Sequence, residues 1–247
     1  MTFRDLRSRS LLDLVPSYVA GLTVAWALKS WYSQAGADGL NWILAPVAQL
    51  AGALGGIAFE REPRAGWVCH AYGVIVGPSC AGLNFLIVAF TTSYFGFVHR
   101  LSHWGARAAW LLASLVAAYL LAIVVNAQRV IATVHLRHWD IYGEVVTQQR
   151  VHRAAGAAIY CFALLLFHQA IDRVFRLRRR APGLPPPSPL VPVVLYLSVA
   201  LGVPILNRAY RHDPAEFLEH GALVVAVSLL AAISVIIVSR IRRSGPA

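Results

Sequence analysis

The chain has 247 residues, 58 % of them hydrophobic and only 13 % charged, about half the charged share of a soluble domain, which excludes a water-soluble globule with a solvated charged surface. The formal charge of +11 does not point to nucleic acid, because the arginines stand at the ends of apolar stretches, where they report membrane topology. The three cysteines, Cys69, Cys80 and Cys161, have no CxxC spacing and no paired histidines, so neither a disulfide framework nor a structural metal site is implied.

Apolar stretches run over Leu14–Trp31, Leu40–Phe59, Cys80–Val98, Ala108–Val125, Ala154–Val174, Leu190–Leu206 and Gly221–Ser239. Their lengths suit the ~30 Å hydrocarbon core and are too continuous for alternating barrel strands. The expected fold is therefore an all-α, polytopic membrane helical bundle of six to seven spans. The second stretch carries Asn41, Pro46, Gln49 and several glycines, and reads as a re-entrant or interfacial segment rather than a lipid-facing span. After the fifth stretch, Arg176, Arg178, Arg179 and Arg180 precede prolines 182, 185, 186, 187, 189 and 192, a charged stop followed by a semi-rigid linker. The expected divisions are a membrane core over 1–180, a linker over 181–192 and a C-terminal helix pair over 193–247.

The cluster Arg173 to Arg180 sets the cytoplasmic side. Alternating from it places Arg4, Arg7, Arg9, Arg100 and Arg107 inside, and Glu60–Ser79, Ala127–Arg153 and Asn207–His220 outside. An inside N-terminus then requires that one of the first two stretches does not cross. Two alternatives are an outside N-terminus, which makes every stretch a crossing, and removal of the first stretch as a signal peptide after Ala25-Trp26-Ala27.

Cys80 opens the third stretch, Arg129 follows the fourth and His152 precedes the fifth. Consecutive crossings are antiparallel, so these three residues belong to one membrane surface whichever way the bundle points. Pro78 disfavours helix for the residue before it, so a helix is expected to begin near Cys80, where unpaired N–H groups and the macrodipole favour a thiolate and would hold an oxyanion. Gly77 and Gly82 would let a peptide backbone approach the sulfur. A histidine can exchange the proton of a thiol and a leaving amine, and a guanidinium can stabilise charge on a carbonyl oxygen.

Each residue also has a plainer reading. Cys80 alone would be a small hydrophobe, Arg129 a snorkelling anchor and His152 part of a solvated basic loop. Cys161 between Tyr160 and Phe162 reads as packing, and Cys69 has no assigned role. His99 and His103 lack a third ligand, whereas His135, His138, Asp140 and Glu144 are either ligands or solvated polar residues.

The run Gly77-Pro78-Ser79-Cys80-Ala81-Gly82-Leu83-Asn84-Phe85, then Asn126-Ala127-Gln128-Arg129-Val130, then His152 before an apolar span resembles the exosortase/archaeosortase family. The Cys-Ala-Gly-Leu-Asn-Phe wording is most similar to its exosortase K branch. The resemblance implies a membrane-embedded cysteine transpeptidase or protease at the outer face of a bacterial inner membrane. Its partners would be the lipid bilayer and exported proteins that carry a C-terminal sorting signal with a transmembrane helix and basic tail. It implies Cys80 as the thioester-forming nucleophile, Arg129 as oxyanion or substrate clamp and His152 as general acid/base, with Gly82, Asn84 and Asn126 in substrate binding. No metal, organic cofactor or nucleic acid is called for. The linker and the last two stretches lie outside the shared core. Competing classes are a transporter or channel, and a non-catalytic assembly protein.

Overall fold

The computed structural model describes residues 13–136, 143, 147–178, 190–206, 211 and 214–244. Its elements in chain order are α1 (Val15–Tyr32), α2 (Asn41–Gly55), β1 (Glu60–Glu62), β2 (Gly66–Cys69), β3 (Val74–Val76), α3 (Leu83–Phe97), α4 (Trp104–Leu136), α5 (Gln148–Arg178), α6 (Leu190–Leu206) and α7 (Pro214–Ser244). Four helical segments of the described residues are long and apolar enough to cross a membrane: Pro78–Arg100, Trp104–Leu136, Arg150–Leu177 and Phe217–Ser234. The apolar part of α6, Val191–Gly202, is shorter. The chain is thus a multi-pass, helical membrane protein, as the apolar stretches required. The linker prolines from 182 to 189, with Arg179 and Arg180, lie outside the described residues.

Helix α1 runs antiparallel to α3 along its whole length. Near its start the Tyr94 hydroxyl donates to the Ser17 carbonyl at 3.0 Å, and at its other end Lys29 donates to Asn84 Oδ1 at 3.1 Å. Small residues make this approach close, because a Cβ on Gly21 would overlap the Tyr94 ring, the device membrane helices use to gain packing contact.

Helix α2 has only 15 residues, about 22 Å at ~1.5 Å per residue, and lies against the half of α4 nearest the site. Its start touches Tyr119 and its end, at Gly55, touches Ile131. The polar and proline content of this stretch has a visible consequence. Pro46 sits inside the helix and, lacking an N–H, leaves the Trp42 carbonyl four residues earlier without its helical donor. The Tyr119 hydroxyl supplies that hydrogen bond at 2.9 Å, with the two rings stacked at 5.4 Å.

The departure from an all-helical chain is a small antiparallel sheet in the order β1-β2-β3. Trp67 pairs with Val76, Val68 with Ile75 and Cys69 with Val74. The sheet lies against α2, and one side of it joins the core through Cys69, Val74 and Val76. A tight turn over Pro78–Cys80 links it to α3. Helices α6 and α7 pack onto α3 and α5, and Arg150 at the start of α5 grips Glu219 of α7 through bonds of 2.6 and 3.2 Å.

At the opposite end of the bundle Arg100, Arg107 and Arg176, three of the basic residues assigned to one side, find partners, whereas Arg4, Arg7 and Arg9 lie outside the described residues. Arg100 pairs with Asp172 at 3.2 Å, Asp172 also binds Arg176 at 2.6 Å, and the buried Arg107 donates to the carbonyls of Asp13 and Leu101.

Candidate active site

The site lies where α3 and α5 begin and α4 ends. A cavity of about 180 Å³ is lined there by Ile75, Cys80, Asn126, Arg129, Thr133 and His152, among others. The expectation that antiparallel spans bring Cys80, Arg129 and His152 to one surface corresponds to this arrangement. Of the cysteines, Cys69 and Cys161 are buried and Cys80 is half-buried.

The local geometry at Cys80 differs from the expected helix start. Its N–H donates to the Gly77 carbonyl at 2.8 Å, and that of Ala81 donates to Pro78 at 3.2 Å. Helix α3 begins only at Leu83 because Gly82 adopts the left-handed region, with φ 62°. The two amides next to the sulfur are thus spent inside the turn and do not offer the unpaired N–H groups expected there. The thiol instead faces the Ile75 carbonyl at 3.8 Å.

Gly82 is required for a second reason. A Cβ there would overlap the Asn126 carboxamide, so the two sequence motifs interlock. Asn126 in turn donates to Ala122 O at 2.7 Å and accepts from the Tyr160 hydroxyl at 2.7 Å. Asn84 stands away from this cavity. It receives Lys29 and borders a second cavity of about 280 Å³, which Phe85, Arg129, Tyr160, Tyr196 and Val224 also line.

Arg129 is the hub. Its Nη1 donates to Tyr160 Oη at 2.8 Å and its Nη2 contacts His152 Nε2 at 3.2 Å. Arginine has donors only, so the His152 contact engages the Nε2 lone pair and leaves the ring proton on Nδ1. From there it is donated to Thr133 Oγ1 at 2.9 Å, and the threonine hydroxyl donates to the Arg129 carbonyl at 2.8 Å. This closed network fixes both the tautomer and the orientation of the imidazole. Arg129 Nε is buried without a hydrogen-bond partner, and among the described residues no carboxylate pairs with this arginine.

Thr133, Tyr160 and Gly156 were not singled out from sequence, although a signal existed. Asn126, Arg129 and Thr133 recur at i, i+3 and i+7 of α4, and His152, Gly156 and Tyr160 at i, i+4 and i+8 of α5, the spacing of facing helical stripes. Gly156 leaves room for the guanidinium, since a Cβ there would come within 2.9 Å of Arg129 Nε.

His135, at the end of α4, donates through Nδ1 to Ile131 O at 2.9 Å, whereas His138, Asp140 and Glu144 lie outside the described residues. Among the described residues, no group of three or more His, Cys, Asp or Glu is placed to hold a metal ion.

The molecule is thus a multi-pass membrane protein with a thiol, a guanidinium and an imidazole gathered at one end of its helices. The chain belongs to the transmembrane exosortase family, whose sequence model matches residues 10–168, and with that family goes a general role as a membrane transpeptidase in protein sorting. No curated protein and no solved structure matches the chain.

Proposed function

We infer that the protein is a cysteine transpeptidase or protease that processes C-terminal sorting signals of exported proteins through a thioester on Cys80. The observation that carries this reading is the shared cavity of Cys80, Arg129 and His152, in which Arg129 bonds His152 at 3.2 Å and no carboxylate of the described residues neutralises it.

In the proposed reaction Cys80 Sγ attacks the scissile carbonyl carbon while its proton passes to His152 Nε2. For this the Arg129 guanidinium moves from the Nε2 lone pair onto the carbonyl oxygen, where negative charge develops. A cation held in a partly apolar site without a counter-ion is suited to that charge. Collapse of the tetrahedral intermediate breaks the C–N bond, and His152 returns the proton to the leaving amine. An amine or water then attacks the thioester, its proton goes to His152, and the thiol is regenerated by transfer of that proton back to sulfur. Thr133 holds the imidazole so that Nε2 faces the cavity.

The reading further places the protein in a bacterial inner membrane with this cavity on the outer side. Substrates would be exported proteins whose tail combines a short motif, a transmembrane helix and basic residues. Comparing membranes from cells that make the wild type with those from cells that make Cys80→Ala tests it. The variant is expected to assemble normally and an unprocessed precursor to accumulate; normal processing by Cys80→Ala would overturn the assignment.

A further inference from the structure

The two edges of the small sheet are built differently. The β1 edge reads Glu60-Arg61-Glu62, and Arg61 is paired with Asp38 at 3.4 Å. Charged residues of this kind keep a strand from recruiting another. The β3 edge reads Val74-Ile75-Val76, pairs among the described residues only with β2, and has no charge or proline on it. This unguarded edge forms a wall of the cavity that holds Cys80.

The orientation of its peptide groups follows from the register. In an antiparallel ladder both backbone groups of one residue point to the same side, and the side alternates along the strand. The Ile75 carbonyl faces Cys80 Sγ at 3.8 Å, so it points away from β2, and the Ile75 N–H points the same way. Val74 and Val76 are buried while Ile75 is 54 % exposed, so one face of the strand is anchored in the core and the Ile75 side chain stands on the other. A strand added to a sheet lies about 4.8 Å from its neighbour. Such a strand beside β3 would run directly past the sulfur.

We propose that β3 is the docking edge for an extended peptide, which adds as a fourth strand, pairs its backbone with the N–H and C=O of Ile75, and so presents its scissile amide to Cys80. The occupant is the polypeptide that Cys80 cleaves, so the proposal rests on the acyl-transfer reading above and names how that substrate is held. Recognition through main-chain hydrogen bonds is the mode of strand addition, with affinity supplied by the backbone and selectivity by side-chain pockets. The amide arriving at the Ile75 carbonyl also displaces the thiol from it, which releases the Cys80 proton toward His152.

The test uses the precursor that accumulates in Cys80→Ala membranes as substrate for purified full-length protein. Ile75→Pro removes the outward N–H, and an edge strand tolerates proline where the N–H is not part of the ladder. It is expected to lower kcat/KM at least tenfold, mostly through KM, while labelling of Cys80 by a small thiol electrophile is unchanged. Ile75→Ala keeps the amide and falls by much less. Independently, replacing the backbone amides of a synthetic precursor segment by esters, one at a time, is expected to reveal one position next to the cleaved bond where kcat/KM falls about tenfold. Wild-type kinetics for Ile75→Pro, or a flat ester series, overturns the proposal, and the ester series decides if the proline variant does not fold. If Cys80→Ala blocks processing while both of these tests are negative, strand addition alone fails. If no precursor accumulates in Cys80→Ala membranes, the acyl-transfer reading fails and takes this proposal with it.

Discussion

The two ends of the helical bundle each hold a partly or fully buried arginine, and they treat it in opposite ways. At one end Arg100 is matched by the carboxylate of Asp172, with both side chains only about an eighth exposed, at 12 % and 13 %. Arg129 is given a phenol, an imidazole and an aromatic face, with its guanidinium carbon 5.3 Å from the Tyr160 ring centre. Neutral partners hold a guanidinium in place without cancelling its charge. A charge already cancelled serves assembly, whereas one left uncancelled is available to a reacting group.

The largest effect is expected when each of the two arginines is exchanged for lysine. Arg129→Lys is expected to lower kcat on the precursor by roughly 10²–10³, the cost of losing an oxyanion donor, because an ammonium cannot span Tyr160, His152 and a carbonyl oxygen as the planar fork does. Arg100→Lys should leave turnover unchanged. Equal losses at the two positions would remove the distinction between the ends.

A smaller effect is expected at Thr133. Thr133→Val removes the acceptor for the His152 Nδ1 proton, and about one hydrogen bond, or roughly five- to tenfold, should be lost from kcat with KM unaffected. Thr133→Ser should restore it. Failure of serine to rescue would make this residue a packing element only.

The smallest effect on activity, and one confined to stability, belongs to Asp172. Asp172→Asn leaves Arg100 and Arg176 without their carboxylate and should destabilise the protein by about 3 kcal/mol, read as a lower unfolding midpoint in detergent. Turnover per folded molecule should not change, and a drop in kcat without loss of stability would place Asp172 in the reaction instead.

Much of this was legible in the sequence, for specific reasons. Apolar run length fixed the helices, and strict alternation of antiparallel spans brought Cys80, Arg129 and His152 to one end without any knowledge of packing. The polar and proline content of 40–59 marked α2 as different from a lipid-facing span, though not that Tyr119 would repair it. The sheet over 60–76 gave no signal, because its strands are three or four residues long and too short to show alternation. The delayed start of α3 was hidden by a conformational property of Gly82 that the proline rule does not address. Thr133 and Tyr160 escaped notice because a threonine within a helix and a tyrosine beside a buried cysteine each have an ordinary packing explanation, and only the facing stripes of α4 and α5 give them another.

The fit between Gly82 and Asn126 carries an evolutionary corollary. One motif supplies an empty volume and the other fills it, and Tyr160 and Arg129 lean on the group that does the filling. Any side chain at position 82 would therefore dislodge the carboxamide and, two hydrogen bonds later, misaim the guanidinium. Drift at either motif is visible to selection through the other, so the pair should be inherited or lost as one unit.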